Sequence, residues 1–141
     1  MPITENEVTA GVIAYLDVAA LVEDQRIRYV EHGAPFRNGP FLCVQCKGGD
    51  SLWLQVTGTR DAKGLRLELL KQWRTGGGVG RWLRDPQFIH DARKPIYGPP
   101  AAFAAASANV DHYQVQDRPR VLQAGLDASI NEIERYGGKA L

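Results

Sequence analysis

No stretch of this chain approaches the roughly 20 consecutive apolar residues that a membrane-spanning helix requires, so no such helix is expected. The opening residues, Met1-Pro2-Ile3-Thr4-Glu5-Asn6-Glu7, lack the basic start and apolar core of a secretory signal. Cysteine is scarce, with two in 141 residues. Together these absences predict a cytoplasmic protein that does not rely on disulfides. Metal-ligand spacing is missing too. His32, His90 and His112 are scattered, and a second cysteine pair to complete a zinc site does not exist. No metal and no cofactor is therefore expected. Ser51, Ser107 and Ser129 sit in no nucleophile-elbow sequence. The glycine run Gly76-Gly77-Gly78-Val79-Gly80 lacks both the Gly-Lys-Ser/Thr ending of a P-loop and the spacing of a dinucleotide site. It reads as a surface loop.

What is present fits one globular domain over 1–141. Apolar residues make up 44% and charged residues 23%, which argues against wholesale disorder. Net charge is +1, but its distribution is uneven. Residues 1–34 carry six acidic and two basic side chains, and 35–108 carry eleven basic and five acidic. The middle of the chain is therefore the part that could attract an anion. A solvated mixed-charge surface is the alternative.

Periodicity outlines the elements. Thr4-Glu5-Asn6-Glu7 matches a capping box. Val8, Val12, Leu16 and Ala20 follow at helical spacing, so an amphipathic helix is expected to about Val22. Gly11 and the β-branched residues leave a strand open over part of it. Ile27 to Val30 reads as a short strand. Phe41–Cys46 and Ser51–Thr57 read as a hairpin closed by Lys47-Gly48-Gly49-Asp50. Leu52, Leu54 and Val56 fall on one face, and Trp53, Gln55 and Thr57 on the other. Leu65, Leu67 and Leu69 alternate again and predict the third strand of a meander. Further expectations are a short strand at Phe88-Ile89-His90, a helix over 101–108 after Pro99-Pro100, and a strand at 112–115. A C-terminal helix over 117–137 would have Asp117 as N-cap and Gly137 as C-terminal cap. The fold class is α+β: a small antiparallel β-barrel or sheet of SH3-like type. It divides into an acidic helical segment (1–34), a β-rich basic core (35–116) and the C-terminal helix.

Three sets of residues could carry chemistry. Cys43-Val44-Gln45-Cys46 is a C-x-x-C sequence. On a regular strand its thiols would point to opposite faces, so a packing role is expected for both. Lys71, Arg74, Arg81, Arg84, Arg93 and Lys94 surround the glycine run, against Asp85 and Asp91, with Trp73 and Trp82 interleaved. Basic groups track a phosphate backbone and aromatic rings stack on unpaired bases, so Arg74, Arg81, Trp82, Arg84, Arg93 and Lys94 are the expected single-stranded nucleic-acid contacts. The competing reading places the tryptophans in the core. His90 is the one histidine inside the basic segment and the general base that segment could offer.

Gly39-Pro40-Phe41-Leu42-Cys43-Val44, followed by the hairpin and Leu54-Gln55-Val56-Thr57, resembles the core of the MazF/PemK-type toxins. The resemblance covers about residues 39–57. It implies an SH3-like barrel that cuts single-stranded RNA without metal, acts as a dimer and is opposed by a protein antitoxin. Thr57 matches the hydroxyl residue that ends the family's second strand. Gly39 stands before Pro40 where the family has arginine, and Arg37 is the nearest substitute. The resemblance thus implies a catalytic set of Thr57 and Arg37, to which the basic segment adds His90. Two other readings stand beside RNA binding and cleavage. One is a non-catalytic protein-interaction or assembly module, and the other is a small-molecule hydrolase built around His90.

Overall fold

The computed structural model describes every residue except Met1, His32, Ala34 and Val79. The readings placed on those four positions lie outside the described residues. The fold is α+β. Its strands are β1 (Ile13–Leu16), β2 (Arg28–Tyr29), β3 (Gly39–Lys47), β4 (Asp50–Thr57), β5 (Arg74–Thr75), β6 (Phe88–Ile89), β7 (Ile96–Gly98) and β8 (Arg120–Val121). Its α-helices are α1 (Val18–Glu23), α2 (Arg81–Arg84), α3 (Pro100–Ser107) and α4 (Gln123–Arg135). The main sheet runs β1-β3-β4-β7-β2, with β6 beside the far end of β4, and β5 pairs with β8 apart from it. Every pairing is antiparallel. The sheet is open, so the closed-barrel alternative is not realised.

The β3–β4 hairpin forms as its sequence dictates. Gly48 and Gly49 adopt φ of +61° and +79°, the positive values a two-residue hairpin turn requires. Alternation along β4 then feeds two cores. Trp53 faces one with Phe41, Cys43, Leu16 and Phe103, under α1 and α3. Leu52, Leu54 and Val56 face the other with Ile13, Leu42, Leu126 and Ile133, under α4. The sheet is thus buried between helical layers on both faces, and its central strands are apolar on both sides.

Four expectations are corrected. The N-terminal helix is replaced by a single 3-10 turn at Glu5–Glu7, then β1, then α1. The break lies at Gly11, with φ of +101°. The Val121 carbonyl oxygen lies 2.6 Å from where a Cβ on Gly11 would sit. The Gly11 carbonyl accepts from Val121 N at 2.8 Å, which commits this segment to extended pairing. The third strand of the meander is not 65–69. β7 and β6 take the edge of β4 instead, and residues 67–69 pair with β6 through Ile89 N to the Leu67 carbonyl and Leu69 N to the Gln87 carbonyl, both 2.8 Å. His112–Gln114 forms no strand, and Val115–Asp117 is a 3-10 turn. Finally, α4 starts at Gln123, because Arg120 and Val121 are first used to pair with β5. The sequence-derived boundary at 117 is therefore six residues early. Gly137, with φ of +89°, does follow the helix end.

A further irregularity lies within β3. Cys43 pairs with Trp53, but Gln45 rather than Val44 pairs with Leu52. This β-bulge breaks the strict alternation expected of the C-x-x-C sequence. It brings the Cys43 and Cys46 sulfurs to 3.5 Å, where a regular strand would separate them.

Candidate functional site

The C-terminal end of β4 carries the site. β6 and β7 share one edge of β4, β7 against Ser51–Trp53 and β6 against Val56–Thr57. The chain between them, 90–95, leaves the sheet there. His90 is fixed at that departure, its backbone N–H donating to the Gln55 carbonyl at 2.8 Å. Its own carbonyl accepts from Arg66 Nε at 2.9 Å, and Arg66 Nη1 also holds the Thr59 carbonyl at 2.6 Å. Arg66 therefore clamps the 58–66 loop against the start of the 90–95 segment. On the other side, Gln55 Nε2 donates to the Arg37 carbonyl at 2.9 Å. Asn38 Oδ1 accepts from Val18 N at 2.8 Å and anchors the same stretch to the start of α1.

These links border an open cavity of about 420 Å³. Arg37, Thr57 and His90, drawn from three separate segments, all line it, together with Tyr15, Gln55 and Arg66. Among the described residues its lining holds no carboxylate. Burial lowers the His90 pKa, and the Arg66, Lys94 and Arg37 cations lower it further against the opposing pull of Asp91. The imidazole is thus favoured in its neutral form, the form that accepts a proton. Thr57 Oγ1 accepts from Thr59 N at 3.3 Å, closing the turn that ends the strand. Gln55 is nearly buried, at 6% exposure. Its Oε1 has no hydrogen-bond partner among the described residues. A buried acceptor left unpaired is costly unless a bound group or water satisfies it.

The cavity adjoins a larger one of about 870 Å³, the two sharing Tyr15, Pro40, Gly58 and Thr59. Its wall includes Gly77, Gly78, Gly80 and Arg81 from the glycine loop and His112 and Tyr113 from the chain after α3. Three aromatic rings line up here. Tyr15 and His112 have centroids 5.4 Å apart, and His112 and Tyr113 5.2 Å. Burial pushes the Tyr113 hydroxyl up to about 12. On the other side, a smaller cavity of about 260 Å³ shares Arg66 and His90. The three cavities are neighbours through these shared residues, and together they make up the candidate groove.

The residues expected to contact nucleic acid divide by burial. Arg81 is exposed on the groove wall. Arg93 is exposed beside the small cavity, its guanidinium held by Asp91 at 2.9 and 3.0 Å. Arg84 is exposed beside Asp85, 3.3 Å away, and lines none of the three cavities. Arg74 is buried, and its Nη1 donates to the Trp82 and Asp85 carbonyls at the end of α2. Trp82 lines the groove but is 92% covered, and its Nε1 donates to the Thr75 carbonyl at 2.9 Å. Lys94 is buried with its Nζ 4.1 Å from the centre of the Phe36 ring. All three side chains are engaged within the fold, and of them only Trp82 also lines a cavity. Trp53 is core as well, stacked on Phe103 with centroids 4.7 Å apart.

Sequence reasoning missed Tyr15, Gln55, Arg66, His112 and Tyr113 as groove residues. Gln55 and Arg66 alternate with apolar neighbours and look like solvent-facing strand positions. Tyr15 lay inside an expected helix, and nothing in the spacing links it to position 112. Comparison with family models, with curated proteins and with solved structures found no match to this chain.

Proposed function

We propose that the groove binds single-stranded RNA and that the cavity at the end of β4 cleaves it without metal. The observation that carries this reading is the convergence of Arg37, Thr57 and His90 on one carboxylate-free cavity beside an aromatic row. The reading includes kinship with the MazF/PemK-type toxins and their SH3-like core, for which the β3–β4 hairpin and Thr57 are the supporting features.

The chemistry is transfer of a phosphodiester to the neighbouring 2′-hydroxyl. Neutral His90 takes the 2′-hydroxyl proton, and the oxygen attacks phosphorus. Charge on the phosphorane is balanced by Arg37 and by the face of Arg66 not used in its carbonyl bonds, the kind of electrostatic support that is usually the largest catalytic contribution. Thr57 orients a phosphate oxygen. The bond to the 5′-oxygen breaks, and Tyr15 on the same lining is the hydroxyl assigned to protonating it. Gln55 Oε1 accepts from a base or ribose donor. Bases stack along Tyr15, His112 and Tyr113, with Arg81 on the backbone.

A second reading is a non-catalytic protein-interaction or assembly module. It is favoured by the burial of Arg74, Trp82 and Lys94 and by the pairing of Arg84 and Arg93 with neighbouring aspartates. Incubating the purified protein with a mixed single-stranded RNA pool and chelator, across a salt series, separates the two. Cleavage abolished in Thr57→Ala and His90→Gln, with salt-sensitive binding retained, supports the enzyme. Binding without cleavage leaves an RNA-binding module. Absence of both overturns the RNA reading and leaves the interaction module.

A further inference from the structure

The C-x-x-C sequence lies outside the groove, on the bulged part of β3. The extra residue is Val44, so Cys46 turns toward the face that Cys43 occupies. The two sulfurs lie 3.5 Å apart, and both are free thiols. Their environments differ sharply. Cys43 is fully buried in the core with Phe41 and Trp53. Cys46 is exposed, and its S–H reaches the Val8 carbonyl at 3.6 Å. Among the described residues, no group of three or more His, Cys, Asp or Glu side chains could hold a metal.

We propose that Cys43 and Cys46 form a reversible dithiol–disulfide couple, oxidised by small-molecule disulfides of the glutathione class. Cys46 is the attacking thiol and Cys43 the resolving one. The Cys46 thiolate attacks one sulfur of the small disulfide, forming a mixed disulfide and releasing one thiolate. Cys43 gives its proton to that thiolate and attacks the Cys46 sulfur. The second small thiolate departs as the Cys43–Cys46 bond forms, and it takes up, through solvent, the proton that Cys46 gave up. Two protein thiols are oxidised, and one small disulfide is reduced to two thiols.

The geometry suits both steps. The attacking sulfur is the accessible one, and the resolving sulfur is already in van der Waals contact. A disulfide needs about 2.05 Å between sulfurs, so the pair must close from the 3.5 Å at which the two sulfurs already face each other. The hydrogen bond from Cys43 lowers the Cys46 pKa, while the same contact and burial raise that of Cys43. The nucleophile is thereby separated from the resolving thiol. Bond formation also removes the Cys46 S–H that reaches Val8, so oxidation alters how the N-terminal segment meets the sheet.

The test exposes the purified full chain to graded ratios of oxidised to reduced glutathione, followed by intact mass and free-thiol counting. The wild type is expected to lose both thiols and two hydrogens, carry no glutathione, and return on addition of dithiothreitol. Cys43→Ser, or Cys43→Ala if the hydroxyl disturbs the core, is expected to accumulate a glutathione adduct at Cys46. Cys46→Ser is expected to keep a free thiol under the same exposure. A stable glutathione adduct on the wild type overturns the proposal. So do two unreacted wild-type thiols, or Cys46→Ser reacting as fast as the wild type.

Discussion

Asp111 and Arg118 meet at 2.9 Å with both side chains essentially sealed from solvent, at 0% and 1% exposure. The pair takes over along the edge of β1 where backbone pairing with the 119–121 segment ends. Asp111 Oδ1 accepts from Tyr15 N at 3.2 Å, and Arg118 Nη1 donates to the Ile13 carbonyl at 3.0 Å, so these two side chains, with the Pro119 carbonyl that accepts from Ile13 N at 3.0 Å, satisfy the outer edge of β1. An edge strand left bare would invite pairing with another chain. Asp111→Asn keeps the shape but leaves a buried guanidinium without its carboxylate, and removal of one partner from such a pair costs about 3–5 kcal/mol. Urea unfolding of the variant is expected to show a loss of that order. A loss below about 1 kcal/mol would mean that water reaches the pair.

Stability should depend on pH through His90. Burial makes its folded-state pKa lower than the unfolded value of about 6.5. Above that value both states are neutral and the group has no effect. As pH falls below it, the unfolded chain takes up the proton first, so stability falls until the lowered folded-state pKa is passed. Arg66, Lys94 and Arg37 deepen the effect, and Asp91 opposes it. Denaturation midpoints taken from pH 7 downward should show this decline, and His90→Gln should flatten it. An identical slope in the variant would assign the decline to other groups.

The buried and exposed arginines should behave oppositely. Arg74→Met removes a guanidinium that holds the end of α2 through the Trp82 and Asp85 carbonyls, and should cost roughly 1–3 kcal/mol of stability. Arg81→Ala, on the groove wall, should change stability by less than about 0.5 kcal/mol. It should reduce the salt slope of RNA binding by about 1. Paired unfolding and binding titrations read both, and an unchanged slope for Arg81→Ala would remove that side chain from the RNA path.

Ser51 should matter more than its size suggests. It is fully buried, donates to the Gly98 carbonyl at 2.7 Å and accepts from Trp53 Nε1 at 3.0 Å. Ser51→Ala strands an indole N–H inside the core and should cost about 1–3 kcal/mol. A shift in the near-ultraviolet circular dichroism of Trp53 should accompany the loss. Stability equal to wild type would show that the indole finds another acceptor.

The sequence by itself determined the parts that depend on neighbours along the chain. The β3–β4 hairpin follows from Gly48-Gly49 and from alternation along β4, α3 from Pro99-Pro100 before an alanine run, and the end of α4 from Gly137. Tertiary structure decided where distant segments compete for the same backbone groups. Val121 claims the carbonyl of Gly11, which turns an expected helix into a turn and a strand. β6 and β7 claim the edge of β4, which displaces the segment at 65–69. The bulge at Val44 reverses the facing of one cysteine, a one-residue change that alternation cannot anticipate. The same asymmetry governs the groove. Residue type and charge marked His90 and Arg81 as candidates, and the family resemblance marked Arg37 and Thr57, but burial withdrew Arg74, Trp82 and Lys94 from the surface. Contacts between positions as far apart as 15 and 112 built the aromatic wall, because packing across the sheet rather than spacing along the chain sets which side chains meet.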